Sequence, residues 1–278
     1  MTGSTERRLS EADLPGCLAL SKSAHWNQNE ADWRLMLGFG RGWGIELEDG
    51  TLAASTLVLP YGTGIAWIAM VLVLPEHRRK GYASRLLRVA IKDLLDRGQT
   101  PILDATPAGQ MVYEREGFKA TWGFKRFSLS VPFRDSQDNS VQRIRAPDWP
   151  RILELDRRAF GADREAVLRN LARRQPQAAL VSDGGFVLAR EGREAAQIGP
   201  LVAREERGAR ELLAAALRQV KPPVYLDLLD SREETRMWLE ERGFAFQRPF
   251  TRMVHTAGHA VAPGDASLVH CPAGPELG

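Results

Sequence analysis

Arg78, Arg79 and Lys80, followed at once by Gly81, put positive charge and a missing side chain into one short turn. That combination suits a pyrophosphate, which needs cationic groups and bare backbone amides that its oxygens can approach. The turn lies between two elements that would position it. Before it comes the apolar run Ile65–Leu74, too short to cross a membrane and suited to a central strand buried on both faces. After it Leu86, Leu87, Ala90, Ile91, Leu94 and Leu95 recur at helical spacing, with Gly98 where a C-terminal cap belongs. Pro75 ends the strand ladder. The free amides at the start of the helix, from Gly81 to Ser84, would point at an anion in the turn, and the helix dipole favours negative charge there. Taken alone, the same residues also fit a solvated basic turn with a loop glycine.

A second cluster follows one strand later. Pro101–Ala105 reads as a short strand, and Thr106 to Phe118 reads Thr-Pro-Ala-Gly-Gln-Met-Val-Tyr-Glu-Arg-Glu-Gly-Phe. Together the two segments resemble the GNAT N-acetyltransferase superfamily. Arg78-x-x-Gly81-x-Ala83 matches its acetyl-CoA signature, Q/R-x-x-G-x-G/A, and Tyr113-Glu-Arg-Glu-Gly117-Phe118 matches its tyrosine-bearing helix ending in Gly-Phe. The resemblance implies that the backbone of Val71, Leu72 and Val73 pairs with a pantetheine arm. It also implies that Arg78, Arg79, Lys80, Gly81, Tyr82, Ala83 and Ser84 hold the pyrophosphate, with Thr106 and Gly109 completing the acetyl-CoA site. Tyr113 is then the proton donor to the departing CoA thiolate, a role open to a phenol of ordinary pKa about 10. The alternative for Tyr113 is a core ring packed under Phe118.

Attack by an amine also requires a proton acceptor. Several superfamily members carry a glutamate early in the strand before the signature, where this chain has Trp67. Glu46 on the preceding strand is the first candidate base, followed by Glu30, His25 or an ordered water. The segment from His25 to Trp33 concentrates indoles and carboxylates, and His25, Trp26, Asn27, Gln28 and Glu30, with Trp67, are candidate acceptor-binding residues through cation–π contact and charge pairing. The alternative is structural, with Asn27 and Glu30 as a capping box and Trp33, Leu37 and Phe39 as core anchors.

The second half of the chain parallels the first. A strand Gln197–Val202, the stretch Ala203–Leu213, a strand Val224–Leu229 and a helix ending at Gly243-Phe244 follow in the same order. Nine residues separate Val202 from Leu212, against twelve between Val73 and Leu86, and no R-x-x-G-x-A survives. Counting back from Gly243 by the spacing of Tyr113 to Gly117 lands on Leu239, which has no proton to give. The expected fold is therefore α/β (α+β), a mixed twisted sheet flanked by helices, in two tandem GNAT-like domains. A catalytic domain is placed over residues 1–133 and a degenerate one over 141–256. The best linker is Arg134–Ser140, and 257–278 reads as a loose tail or, at Ala266–Cys271, a last strand.

Composition agrees. The 278 residues suit two ordinary domains, and 38 Lys and Arg against 35 Asp and Glu leave a small positive excess with no dense basic block for nucleic acid. Cys17 and Cys271 make no disulfide framework, and residues 1–8 lack the apolar core of a signal peptide, so a cytoplasmic location is expected. The expected activity is transfer of acetyl from acetyl-CoA to a primary amine, on a small molecule, by direct attack in a ternary complex. No metal, nucleic acid or membrane partner is expected, and homodimerisation is left open. A non-catalytic acyl-CoA-binding regulator, an acetyltransferase for protein lysines or N-termini, and transfer of a longer acyl group stay as alternatives.

Overall fold

The computed structural model describes residues 3–134, 141–257 and 264–278, so most of the expected linker lies outside the described residues. The chain divides into two compact units. Unit 1 comprises Met1–Ala120 and Met253–Val261, and unit 2 comprises Thr121–Arg252 and Ala262–Gly278.

Unit 1 runs β1 (Ser4–Arg8), α1 (Leu14–Ser23), α2 (Glu30–Phe39), β2 (Arg41–Leu47), β3 (Leu52–Tyr61), β4 (Ile65–Val73), α3 (Tyr82–Asp96), β5 (Thr100–Ala105), α4 (Pro107–Arg115) and the start of β6 (Phe118–Leu129). Strands β1 to β4 form an antiparallel series, and β5 joins β4 in parallel after the α3 crossover. The helical stripe read from the sequence is the one that packs. Leu86, Leu87, Ala90, Ile91 and Leu94 share a core with Ala66 and Ile68 of β4 and Leu103 and Ala105 of β5, each large side chain contributing about 1.5–3 kcal/mol by burial. Gly98 takes φ +69° and lets Gln99 N–H return to Leu94 O at 2.9 Å, closing α3 as expected.

The capping box stands two residues later than the sequence implied. Asn29 accepts from Asp32 N–H at 3.1 Å, and Asp32 accepts from Asn29 N–H at 3.0 Å. Asn27 is buried instead, and Glu30 pairs with Arg34 at 2.9 Å on the surface. Trp33 is a core anchor, wholly buried with its indole N–H on Ser21 Oγ at 2.8 Å.

Unit 2 repeats the order. It contains β7 (Gln142–Arg143), α5 (Trp149–Phe160), α6 (Glu165–Arg174), β8 (Leu180–Val181), β9 (Gly185–Arg190), β10 (Ala196–Ala203), α7 (Glu206–Leu217), β11 (Val224–Leu229), α8 (Glu233–Glu241), most of β12 (Ala245–His255) and β13 (Val269–Cys271). Strands β9 and β10 are antiparallel, and β10 and β11 parallel. Buried Arg126 and Asp227 form a two-pronged ion pair, both prongs at 2.8 Å, on the β6–β11 rung that joins them.

The domain limits drawn from the sequence need correction. Residues from Thr121 onward, including most of β6, belong to unit 2, where they pair with β11 from Leu129↔Val224 to Phe124↔Leu229. Residues from Met253, ending β12, belong to unit 1. Both strands show similar alternation, and alternation fixes which face of a strand is apolar without naming the sheet it joins. Of the segment expected as a loose tail or last strand, Val269–Cys271 forms β13. Among the described residues no helix is long and apolar enough to cross a membrane, and no cluster of metal-ligating side chains occurs.

His255 anchors the end of β12 inside unit 1. Its ring stands edge-on to Phe118 at 5.0 Å, its Nε2 lies 3.0 Å from Glu116 O, and its Nδ1 accepts from Ala257 N–H at 3.2 Å. This arrangement fits the neutral tautomer with hydrogen on Nε2, and desolvation holds the imidazole below its ordinary pKa. A depressed histidine pKa means that the unfolded chain binds the proton more readily. The stabilisation is therefore complete above about pH 6.5 and is lost as pH falls through the folded value. The destabilisation caused by His255→Gln should accordingly be largest above pH 7 and shrink toward pH 5 in denaturant titrations; a penalty independent of pH would contradict the neutral assignment.

Candidate functional site

Strands β4 and β5 start together and then part. Their rungs run Ile65↔Thr100, Ala66↔Pro101 and Trp67↔Ile102 and stop there, although β4 continues to Val73 and β5 to Ala105. Near the point of divergence β4 also shifts register against β3, with Met70 at φ +52°, and Ser55 Oγ donates to Met70 O at 2.8 Å. The hydroxyl thus serves a carbonyl where the ladder is irregular. The divergence leaves a cleft of about 410 Å³.

Val71, Leu72 and Val73 form the β4 wall of the cleft, and Asp104 stands on the β5 side. Arg78, Ala83 and Leu87 enter from the basic turn and α3. Thr106, Ala108, Gly109, Val112 and Tyr113 come from α4 and its cap, and Ala24 and Trp26 from the chain after α1. The basic turn has left-handed backbone at Arg79 (φ +61°) and Gly81 (φ +82°). Gly81 is the N-cap of α3, and no other protein atom lies within 4 Å of where its Cβ would stand. The first turn of α3 has no acidic residue, so its free amides meet no competing carboxylate from that turn.

Tyr113 is aimed by α4. Thr106 caps this helix by accepting Gly109 N–H at 3.3 Å, and Pro107 occupies its first position. At the other end Arg88 of α3 grips Glu116 through Nε and Nη2 at 2.8–3.1 Å. The Tyr113 ring meets Phe118 at 6.1 Å and also lines the cleft, so packing and exposure to the site coexist. Desolvation pushes the phenol up to about 12, which keeps it protonated across any ordinary assay range.

The structure does not bring the other expected groups together. Glu46 is not on the cleft wall. Its carboxylate is held by Arg7, through Nε at 2.7 Å and Nη2 as well, and Arg7 also binds Asp13 at 2.6 Å. His25 is exposed in a left-handed turn, and Glu30 is engaged by Arg34. Asn27 and Gln28 are buried and do not line the cleft, and Trp67 is wholly buried in β4 opposite Leu59. Arg79, Lys80, Gly81, Tyr82 and Ser84 make up the turn and helix start beside the wall formed by Arg78 and Ala83.

Asp104 was missed by sequence reasoning. Its signal was available: Leu103 and Ala105 pack toward α3, so strand alternation turns Asp104 to the other face, the lone carboxylate of an otherwise apolar strand. Neither cysteine fits a nucleophile. Cys17 is buried with its thiol pushed up to about 12, and burial raises Cys271 as well.

The corresponding positions of unit 2 are occupied differently. Only Arg204 and Glu205 separate β10 from α7, whereas Leu74–Gly81 separates β4 from α3. The first turn of α7 carries Glu206, whose Oε1 accepts from Thr235 N–H at 2.9 Å and Oγ at 2.8 Å. A carboxylate thus stands near the amides a phosphate would need. Leu239, in the place of the tyrosine, is wholly buried in the core.

Two family models match the chain. The GNAT acetyltransferase family matches residues 11–118, and a second model described as an acetyltransferase (GNAT) domain matches residues 152–264. The uncharacterized N-acetyltransferase YitH of Bacillus subtilis is 24% identical over 245 residues, covering 85% of this chain and 86% of that protein. A putative acetyltransferase of Pyrococcus horikoshii superposes with a TM-score of 0.84 at 20% identity, over 100% of this chain and 97% of its own. A tandem GNAT protein from the clavulanic acid biosynthesis pathway superposes at 0.62 and 14% identity, over 93% and 100%. With one acetyltransferase domain matched in each half, this protein is a tandem member of the GNAT family.

Proposed function

We propose that unit 1 is an acetyl-CoA-dependent N-acetyltransferase acting on a primary amine of a small molecule, and that unit 2 transfers nothing. The observation that carries this reading is the cleft itself, which has along one wall a stretch of β4 beyond its last rung to β5, a protonated phenol among its lining groups and the basic turn at the start of α3. The description of the Bacillus subtilis relative as an N-acetyltransferase supports a nitrogen acceptor.

Acetyl-CoA supplies an activated acyl carbon and a thiolate leaving group. The edge of β4 from Ile68 to Val73 offers backbone groups to an extended polar arm, as a neighbouring strand would. The amides from Arg79 to Ser84 and the charges of Arg78, Arg79 and Lys80 hold the diphosphate. Tyr113 donates its phenolic proton to the departing sulfur, and its high pKa restores the protonated state after each turnover. Asp104 replaces Glu46 as the group that orients the ammonium of the acceptor and receives its proton, directly or through water, with the Trp26 indole on the same cleft.

The first test is calorimetric titration of acetyl-CoA, followed by thiol release against a panel of amines. Binding with release on one amine class is the expected result; binding with no release on any amine would make the protein a CoA-binding regulator. Tyr113→Phe keeps the ring and removes the proton, so kcat should fall about 100-fold with CoA affinity nearly unchanged, whereas equal losses in both would make the residue a packing group. Gly81→Asp adds strain at φ +82° and a negative charge facing the diphosphate, so CoA binding should disappear from the titration. Unchanged affinity would move the diphosphate elsewhere. Asp104→Asn should lower kcat at least about tenfold while Glu46→Gln stays within about twofold of wild type; the opposite ranking would return the base to Glu46.

A further inference from the structure

In unit 2 the parallel pair β10 and β11 also starts together and then parts, with rungs Ala196↔Val224, Gln197↔Tyr225 and Ile198↔Leu226. Beyond Ile198, β10 pairs with β9 on one edge through Leu201↔Val187 and Val202↔Phe186. The same two residues pair antiparallel with β13, Leu201 with Cys271 and Val202 with Val269. Since β9 holds one edge, β13 must lie on the other, in the gap that opens between β10 and β11. The equivalent gap in unit 1 is the cleft described above.

The chain after β13 continues into the interior. Cys271, Ala273, Glu276 and Leu277 are all buried. Gly199 of β10 lies so close to Pro272 O that a Cβ would have no room. Two buried arginines bind this segment: Arg190 of β9 pairs with Glu276 and donates to Ala273 O, and Arg164 donates to Gly278 O while Asp156 holds it on the other side at 2.8–2.9 Å. Buried arginines are rare without a partner that neutralises them. Arg164 has Asp156 as its partner, while Arg190 takes the carboxylate of Glu276, so the site receives both a backbone carbonyl and a carboxylate from this segment, and strand pairing to an open edge is a recurrent way of holding a peptide.

We propose that Val269–Gly278 is a peptide ligand supplied in cis. Unit 2 has kept the strand gap of an acyl-CoA-binding domain and uses it to bind a peptide, its own, whose strand Val269–Cys271 takes the gap and whose following turn presents Glu276 to Arg190, so the chain binds a single CoA. The comparison with a pantetheine arm rests on the reading of unit 1 given above; the peptide site itself does not.

In the full chain, Glu276→Lys should accelerate hydrogen exchange of the Val269–Cys271 amides at least about tenfold, and the exchanged pair Arg190→Glu with Glu276→Lys should restore part of the protection. A chain lacking 265–278 should bind a synthetic peptide of that sequence with one-to-one stoichiometry, and the same peptide with Glu276→Lys at least about tenfold more weakly. Unchanged exchange in the full-chain variant, a folded shortened chain that ignores the peptide, or a second CoA site in either protein would overturn the proposal. If neither protein binds CoA, the reading of unit 1 fails, while the exchange and peptide measurements still decide this one.

Discussion

Two parallel strands that part before they end create the central problem of this fold. Every backbone amide and carbonyl along the opening has lost a neighbour, and buried groups of that kind are costly unless something supplies the missing bonds. Between β4 and β5 the rungs stop at Trp67↔Ile102, and the opening is a cleft. Between β10 and β11 they stop at Ile198↔Leu226, and the opening is taken by β13. One architectural constraint therefore has two outcomes in one chain, an open cleft in the first unit and a gap taken by the polypeptide itself in the second.

The helix that follows each diverging strand follows the same division. Helix α3 begins after a long turn in which Arg79 and Gly81 adopt left-handed backbone, and its first turn carries no acid. Left-handed backbone at a non-glycine residue such as Arg79 costs about 1–3 kcal/mol, which the surrounding structure must sustain. Helix α7 begins almost directly after β10, and Glu206 already accepts hydrogen bonds near its N-terminus. The first helix start is available to a phosphate, and the second is answered from within. Helix α3 also meets α4 through the ion pair of Arg88 and Glu116, which links the helix after the basic turn to the end of the helix that carries Tyr113.

Much of this was legible in the sequence because it depends on local patterns. Ile65–Leu74 is a run long enough for a buried strand, Leu86 to Leu95 fixes the inner face of α3, and Gly81 and Gly98 mark its two ends; the structure agrees at each. The order of Tyr113, Gly117 and Phe118 placed α4 and its phenol. What was not legible depends on which distant residues meet. Glu46 sits on β2, separated from β4 by β3, and Arg7 binds both it and Asp13; no local pattern announces an ion pair between Arg7 and Glu46, residues so far apart in sequence. Asp104 shows the reverse case, since strand alternation gave its direction once Leu103 was assigned to the α3 core. The capping box slipped by two residues because Asn27, Asn29, Glu30 and Asp32 offer two boxes with equal spacing, and only burial of Asn27 decides between them.

The same limit explains the domain boundary. A sequence read left to right closes each copy with the strand after its Gly-Phe pair. In the structure unit 1 includes Met253, which enters the core with Phe118 and Leu86, and His255, which binds Glu116 O beside the end of α4. The apolar core beneath the tyrosine helix is therefore completed by residues near the end of the second copy. The end of the second copy thus contributes Met253 and His255 to the first unit, and losing them would remove packing and a hydrogen bond from the element that carries Tyr113. Strand exchange of this kind ties the folding of unit 1 to residues near the end of the second copy in sequence, so the two copies share a boundary that neither closes by itself.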